Sequence, residues 1–469
     1  MKKLLALFLL VVALSVAAPG FLATQTQDRY NAAVTQLQAA GYRVVEQTYA
    51  RGWFTSDARL QLEIPVPEGR PAGTEPPRVL VKTHAVHGPF LGDLERPFGL
   101  ARLDSEIWLG SEPLVVGRDA APVRTLVGFL GAVRTVVQVP ARQLTFEGGT
   151  LETAAVAGAF DFGSGERVAV GELSMPSMRL QASDGAAGEL RGLRLDVDLR
   201  RSPAGLPVGR WRLGMEWMSV TPSAQTEAKP FAMHSFAVTG TSEERDGAMD
   251  VTADYQLGSL VAEGLTYGPF DLRLAARRLA VDALMRIQAA GEEAVAAGAT
   301  VEGRSEALGV ALLANADALL AKDPSVALDQ LSFDVPEGRV AASLELRTVG
   351  LRAAELRNAQ AALQRLQGKA ALRLPEVVLA ALLRQQGRQQ LAALAKEHGD
   401  AEQPSAEEVE EAAGQYAAQQ IETLVAQQIL VRDAGALAFA AELRNGLLTV
   451  NGKSIPLASL LQPPAAPAH

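Results

Sequence analysis

The sequence predicts an α+β protein: an N-terminal membrane anchor helix, a large antiparallel β region, then mixed helices and strands packing on the sheet. Three observations carry that prediction. Lys2 and Lys3 precede an apolar run from Leu4 to Ala23. Between Tyr42 and Arg273, segment after segment alternates apolar and polar residues with period two, the mark of strands with one buried and one wet face. Beyond Leu279 the pattern changes to Ala- and Leu-rich stretches with helical spacing. The division that follows is a leader over 1–24, a β-rich region over 25–275, an α+β region over 276–461 and a disordered tail over 462–469.

The leader comes first. About twenty residues at roughly 1.5 Å each span some 30 Å, the thickness of a bilayer core. A cleaved signal peptide has a shorter apolar core and a small-x-small site, for which Ser15-Val16-Ala17 is a candidate. The run continues past it through Phe21-Leu22, and Tyr30, Val34, Leu37 and Ala40 then keep helical spacing up to Gly41. Retention as an anchor is therefore favoured over cleavage. Lys2 and Lys3 hold the N-terminus in the cytoplasm, which places the body in the bacterial periplasm.

Composition narrows the chemistry. The chain has no cysteine, which removes thiolate metal sites and cysteine nucleophiles. A net charge of −9 and a pI near 5.3 argue against a nucleic-acid partner and against adsorption to acidic lipid. No cofactor motif is present.

The clearest strands are Ala58 to Ile64, Leu193 to Leu199 and Trp211 to Trp217. Pro71 to Pro77 is expected to be an exposed loop. Val281 to Ala297 and Ser305 to Lys322 are expected as helices, followed by strands over Ala327 to Phe333 and Arg339 to Arg347. Helices are expected again over Leu351 to Leu366, Pro375 to His398 and Ser405 to Leu430, the last opened by a Ser405/Glu408 capping box. Leu437 to Leu443 and Leu447 to Val450 form a hairpin around Asn445-Gly446. His87-Gly88-Pro89-Phe90 is echoed by Tyr267-Gly268-Pro269-Phe270, through chance or a common turn, with distant duplication of a sheet unit as the alternative.

A Gly-aromatic-Phe-Ser-type turn, Arg51-Gly52-Trp53-Phe54-Thr55-Ser56, follows the leader. With the two Gly-Pro segments, Leu374-Pro375 and the closing Gly446-Leu447-Leu448-Thr449-Val450-Asn451-Gly452-Lys453, it resembles the YdgA-like family of bacterial envelope proteins. The resemblance spans nearly the whole chain and lies in motif order. It implies inner-membrane attachment by the N-terminal helix, a periplasmic body and self-association into a homo-oligomer. It carries no established active site, so no catalytic residue transfers. The motif positions are Gly52, Trp53, Phe54, Ser56, His87, Gly88, Pro89, Asn451 and Gly452. Trp53 and Phe54 are expected beneath the sheet, with an exposed aromatic contact as the alternative.

Other candidates weigh less. His84 and His87 are spaced as metal ligands on a helix, but on a strand they point to opposite faces. Asp196 and Asp198 share a face but are flanked by Arg194 and Arg200, so charge matching explains them. Gly163-Ser164-Gly165 and Gly258-Ser259-Leu260 form no nucleophile elbow. Trp211, Met215, Trp217 and Met218 put bulky apolar groups on both faces of one strand, as core packing or as an apolar groove. The expected function is that of a tethered structural or interaction protein and not of an enzyme. The alternative is binding or transport of lipid or another hydrophobic ligand through a sheet groove.

Overall fold

The computed structural model describes residues 23–63, 78–109, 112–113, 121–397 and 405–456, apart from positions 29, 32, 33, 36, 39–41, 95, 147, 164, 225 and 227. The apolar leader before Ala23, the Pro71 to Pro77 loop and the tail from Gln462 lie outside the described residues. Among the described residues no helix is long and apolar enough to cross a membrane. Strands dominate, the described pairings are all antiparallel, and the chain divides into two compact units.

The first unit comprises Met1–Glu216, Pro222–Thr226 and Leu284–Asn315. Its sheet runs through the strands Arg43–Arg51, Thr55–Glu63, Arg78–His87, Ala101–Leu109, Val123–Val127, Val133–Val139, Val156–Phe162, Arg167–Ala182 and Ala187–Arg201, each bonded to the next. A hairpin of Arg142–Phe146 and Gly149–Thr153 continues the edge along the second half of Arg167–Ala182. The described positions between 23 and 38 are helical and run against the first strands. Thr24 accepts a bond from Arg51 at 3.1 Å, Tyr30 packs on Tyr49 with ring centroids 5.3 Å apart, and Gln47 donates to Asn31 at 3.0 Å. The buried Ala23, Thr26 and Val34 mark the inner face of this stretch.

The second unit comprises Trp217–Thr221, Glu227–Ala283 and Ala316–His469. Its sheet passes through Phe231–Arg245, Ala248–Ala262, Phe270–Ala280, Ser325–Val335, Gly338–Thr348, Leu366–Pro375, Ala436–Arg444, Leu447–Val450 and Lys453–Pro456. Two-residue turns with positive φ at both central positions, at Asp246-Gly247, Asn445-Gly446 and Asn451-Gly452, join neighbours whose right-handed twist demands that geometry. Helices Glu376–Glu397 and Ala406–Ala426 interrupt the sheet order. The Ser405/Glu408 capping box opens the second of them as expected. Val340, Leu374, Ile421, Leu430 and Leu437 form the buried core between these helices and the strands.

Three expected helices differ. Leu351 to Leu366 is a 3-10 turn over Ala353–Arg357 and a short helix over Ala359–Gln364 that Asn358 caps. Pro375 ends the strand Leu366–Pro375, and the helix begins at Glu376. The stretch expected from Ser305 starts earlier, capped by Thr300, and splits into Val301–Ala314 and Ala316–Leu320.

Candidate functional site

Both N-terminal motifs meet at one end of the first unit's sheet. The last pair of each ladder lies at that end: Arg51↔Ser56, Thr55↔Val86, His87↔Ala101, Ala101↔Val127 and Val127↔Val133. The turn at 52–54, the segment 88–100 and the turn at 128–132 therefore emerge side by side.

Under these turns Ser56 Oγ and His87 Nε2 are 2.7 Å apart, in residues 2 % and 3 % exposed. The Gly52 N–H donates to Ser56 Oγ at 3.3 Å, and the His87 N–H donates to the Phe54 carbonyl at 2.7 Å. The two motifs are thus fastened through side chain and backbone together. His87 Nδ1 has no hydrogen-bond partner. His84 points the other way, exposed and paired with Asp57 at 2.9 Å, so the two histidines do not converge.

Burial first, and the neighbouring His84 second, hold the His87 pKa below 6.5. The folded state then refuses a proton that the unfolded chain accepts. The stability contributed by neutral His87 is complete above pH 6.5 and is lost as pH falls through the folded pKa. Its steepest slope is about 1.4 kcal/mol per pH unit. Denaturant midpoints measured from pH 7 to pH 5 should fall, and His87→Asn should remove up to one proton from that dependence. Equal slopes in the two proteins would exclude His87 as the source.

The motif glycines answer to space. A Cβ on Gly52 would fall on the Thr55 carbonyl oxygen, and one on Gly88 on the Gly99 carbonyl oxygen. The aromatics contradict the expectation: Trp53 and Phe54 are 55 % and 53 % exposed, not beneath the sheet. A three-residue excursion at a strand end leaves the sheet before its side chains can turn under it. Phe90 and Phe98, bridged and 5.2 Å apart, extend the exposed aromatic rim. Leu94 stands fully in solvent, and Phe129 and Leu130 form the third exposed tip. Sequence reasoning missed these last three; the signal was an apolar pair bracketed by Gly128 and Gly131. Behind the rim the carboxylates are held by arginines. Arg102 and Arg124 bond Asp104 at 2.9 and 2.8 Å, Arg134 bonds Asp161 at 2.8 Å, and Arg124 reaches Asp93 at 3.5 Å.

The sequence profile of a bacterial protein family of unknown function, DUF945, matches residues 1–458. The chain belongs to this family. The matched residues include the apolar leader and every motif position named above, and the YdgA-like resemblance is compatible with the match. No curated protein and no solved structure matches the chain.

The second Gly-Pro segment of this DUF945 protein repeats the bonding of the first. Both Gly-Pro peptides are cis. Gly88 N–H donates to the Leu100 carbonyl at 2.8 Å and Pro89 O accepts from Gly99 at 3.1 Å. Gly268 donates to the Asp334 carbonyl at 2.7 Å and Pro269 O accepts from Asp334 at 3.2 Å. Each following Phe faces a second ring, Phe90 on Phe98 and Phe270 on Phe333.

The remaining apolar candidates share one strand, Pro207–Thr221, as expected. Trp211 and Met215 belong to the first unit, exposed and buried respectively, while Trp217 and Met218 belong to the second. The Trp217 ring meets His234 edge-on at 3.9 Å. Asp196 is bonded by Arg194 at 3.0 Å and Asp198 is paired with Arg200 at 3.6 Å, so these acids neutralise their neighbours.

Asn451 has a definite task. Its side-chain amide donates to the Gln428 and Ile429 carbonyls and its oxygen accepts from Ala440 N–H, tying the last hairpins to the helix end. Its φ of 45° suits Asn better than Ala. Asn451→Ala should cost about 2–3 kcal/mol in thermal unfolding, and Asn451→Gly, which relieves only the backbone, should recover part of it.

Proposed function

We propose that this DUF945 protein is a tethered envelope protein that works by contact and not by catalysis. Its leader is an inner-membrane anchor, its two units stand in the periplasm, and it self-associates. The composition of the motif end supports this reading best. The motif residues there make a closed Ser–His bond, two glycines with no room for a side chain, and outward aromatics. Such an arrangement presents a surface. Ser56, the one hydroxyl bonded to a histidine there, is too deeply buried to meet a substrate.

Fusing alkaline phosphatase to the C-terminus should give active enzyme, and alkaline extraction should leave the chain in the membrane. Photo-cross-linking in intact cells should give adducts of the chain with itself. An inactive phosphatase fusion, or release by alkali, removes the anchored periplasmic reading; recovery as a lone monomer removes self-association.

A second reading, lipid carriage, rests on one face of the second unit's sheet. Val326↔Leu346 and Leu274↔Leu328↔Leu344 lie in adjacent rows, and Val326, Leu274, Leu344 and Leu346 are exposed. Mass spectrometry of gently extracted protein should show co-purifying lipid if this face carries it; a lipid-free preparation ends that reading.

A further inference from the structure

We infer that the aromatic end of the first unit's sheet docks onto the bilayer that holds the leader, with Leu94, Phe129 and Leu130 entering its outer interfacial layer. This rests on the anchoring reading above and adds a second membrane contact to it. The argument is one of position. The apolar run of residues 4–22 ends where the described chain begins, at Ala23 and Thr24. Thr24 is bonded to Arg51, the last residue of its strand and the partner of Ser56 in the terminal pair of that ladder. The helical stretch then runs away from that end, Asn31 meeting Gln47. A leader seated in a membrane therefore leaves the body at its aromatic end and brings that end to the lipid surface.

The chemistry of the end fits the place. Exposed Trp and Phe side chains belong at the headgroup level, and Leu tips gain from the acyl boundary beneath it. The carboxylates behind the rim are already paired with arginine, which limits their repulsion by acidic headgroups. Folding does not account for these side chains, because an exposed Leu94 or Leu130 contributes nothing to the core.

The chain has no cysteine, so single cysteines report cleanly. Full-length Leu94→Cys, Leu130→Cys, Leu10→Cys and Arg43→Cys proteins would each carry an environment-sensitive fluorophore. They would be reconstituted in phosphatidylethanolamine–phosphatidylglycerol vesicles with and without acyl-chain-brominated lipid. Arg43, exposed and opposite Glu63 at the far end of the sheet, is the control. The labels at 94 and 130 should shift to the blue and lose half or more of their emission to bromine, and the label at 43 should do neither. Quenching at 10 with none at 94 and 130 overturns docking and leaves the anchor standing. Quenching at 94 and 130 with none at 10 keeps docking and removes the anchor. No quenching at any of the three overturns both. A blue shift at 94 and 130 without quenching assigns the face to a second copy of the chain and overturns the lipid proposal.

Discussion

Gly88→Ala should destabilise the protein by about 3 kcal/mol or more, lowering the melting temperature by roughly 6–12 °C. The added methyl has nowhere to go. It would overlap the Gly99 carbonyl oxygen, with the Leu100 carbonyl oxygen 3.2 Å away, and both are backbone atoms. Those atoms cannot withdraw cheaply, because Gly88 N–H is bonded to Leu100 O and Gly99 N–H to Pro89 O. Opening the ladder would also shift His87, one residue upstream, off Ser56. Gly309→Ala is the matched control. That glycine lies in the helix Val301–Ala314, where a Cβ meets nothing within 4 Å, so the change should add up to about 1 kcal/mol. A Gly88→Ala protein that melts with the wild type would show that the segment 88–100 is free to move.

The legible parts of this fold were the local ones. Asn445-Gly446 announces its turn because two consecutive positive φ angles suit few residue pairs. Ser405 and Glu408 announce a helix start because both halves of the capping box lie within one turn of chain. The same locality explains the misreading of Leu351 to Leu366. Its helical composition is spent on two short turns divided at Asn358, and its last residue already opens the strand Leu366–Pro375, which pairs with Gly338–Thr348 on one side and Ala436–Arg444 on the other. Asn358, which caps the short helix, was the available warning.

At the motif end the bend after Arg51 could be read, but the fate of its rings could not. Period-two patterning assigns faces within a strand and is silent about a residue that has left one. The Ser56–His87 bond was hidden for a related reason. The residues are 31 apart, and only the pairing of Thr55 with Val86 brings them together. The recurrence at Tyr267 to Phe270 copies the backbone bonds and the facing rings but puts Tyr267 where the first copy has His87. The Gly-Pro geometry thus serves a general way of ending a strand, and the Ser–His fastening belongs to the first unit alone. That separation is why the aromatic rim, and not the echo, carries the functional reading.

Leu437→Ala should be the most damaging core substitution, at about 3–5 kcal/mol and roughly 6–20 °C in melting temperature. Leu437 is fully buried against Val340, Leu374, Ile421 and Leu430, where the strands of the second unit meet the helix Ala406–Ala426. The cavity would be walled by strands locked in register, Leu374 opposite Leu437 itself, so the walls cannot close in to refill it. Leu344→Ala removes the same atoms from the same sheet, at a side chain 50 % exposed, and should cost within about 0.5 kcal/mol. The pair separates two uses of leucine. If Leu344→Ala is neutral, the apolar rows around it do not stabilise the fold and are free to take a lipid or another copy of the chain. If it costs as much as Leu437→Ala, the face is already covered in the folded protein, and the lipid reading loses the exposed surface on which it rests.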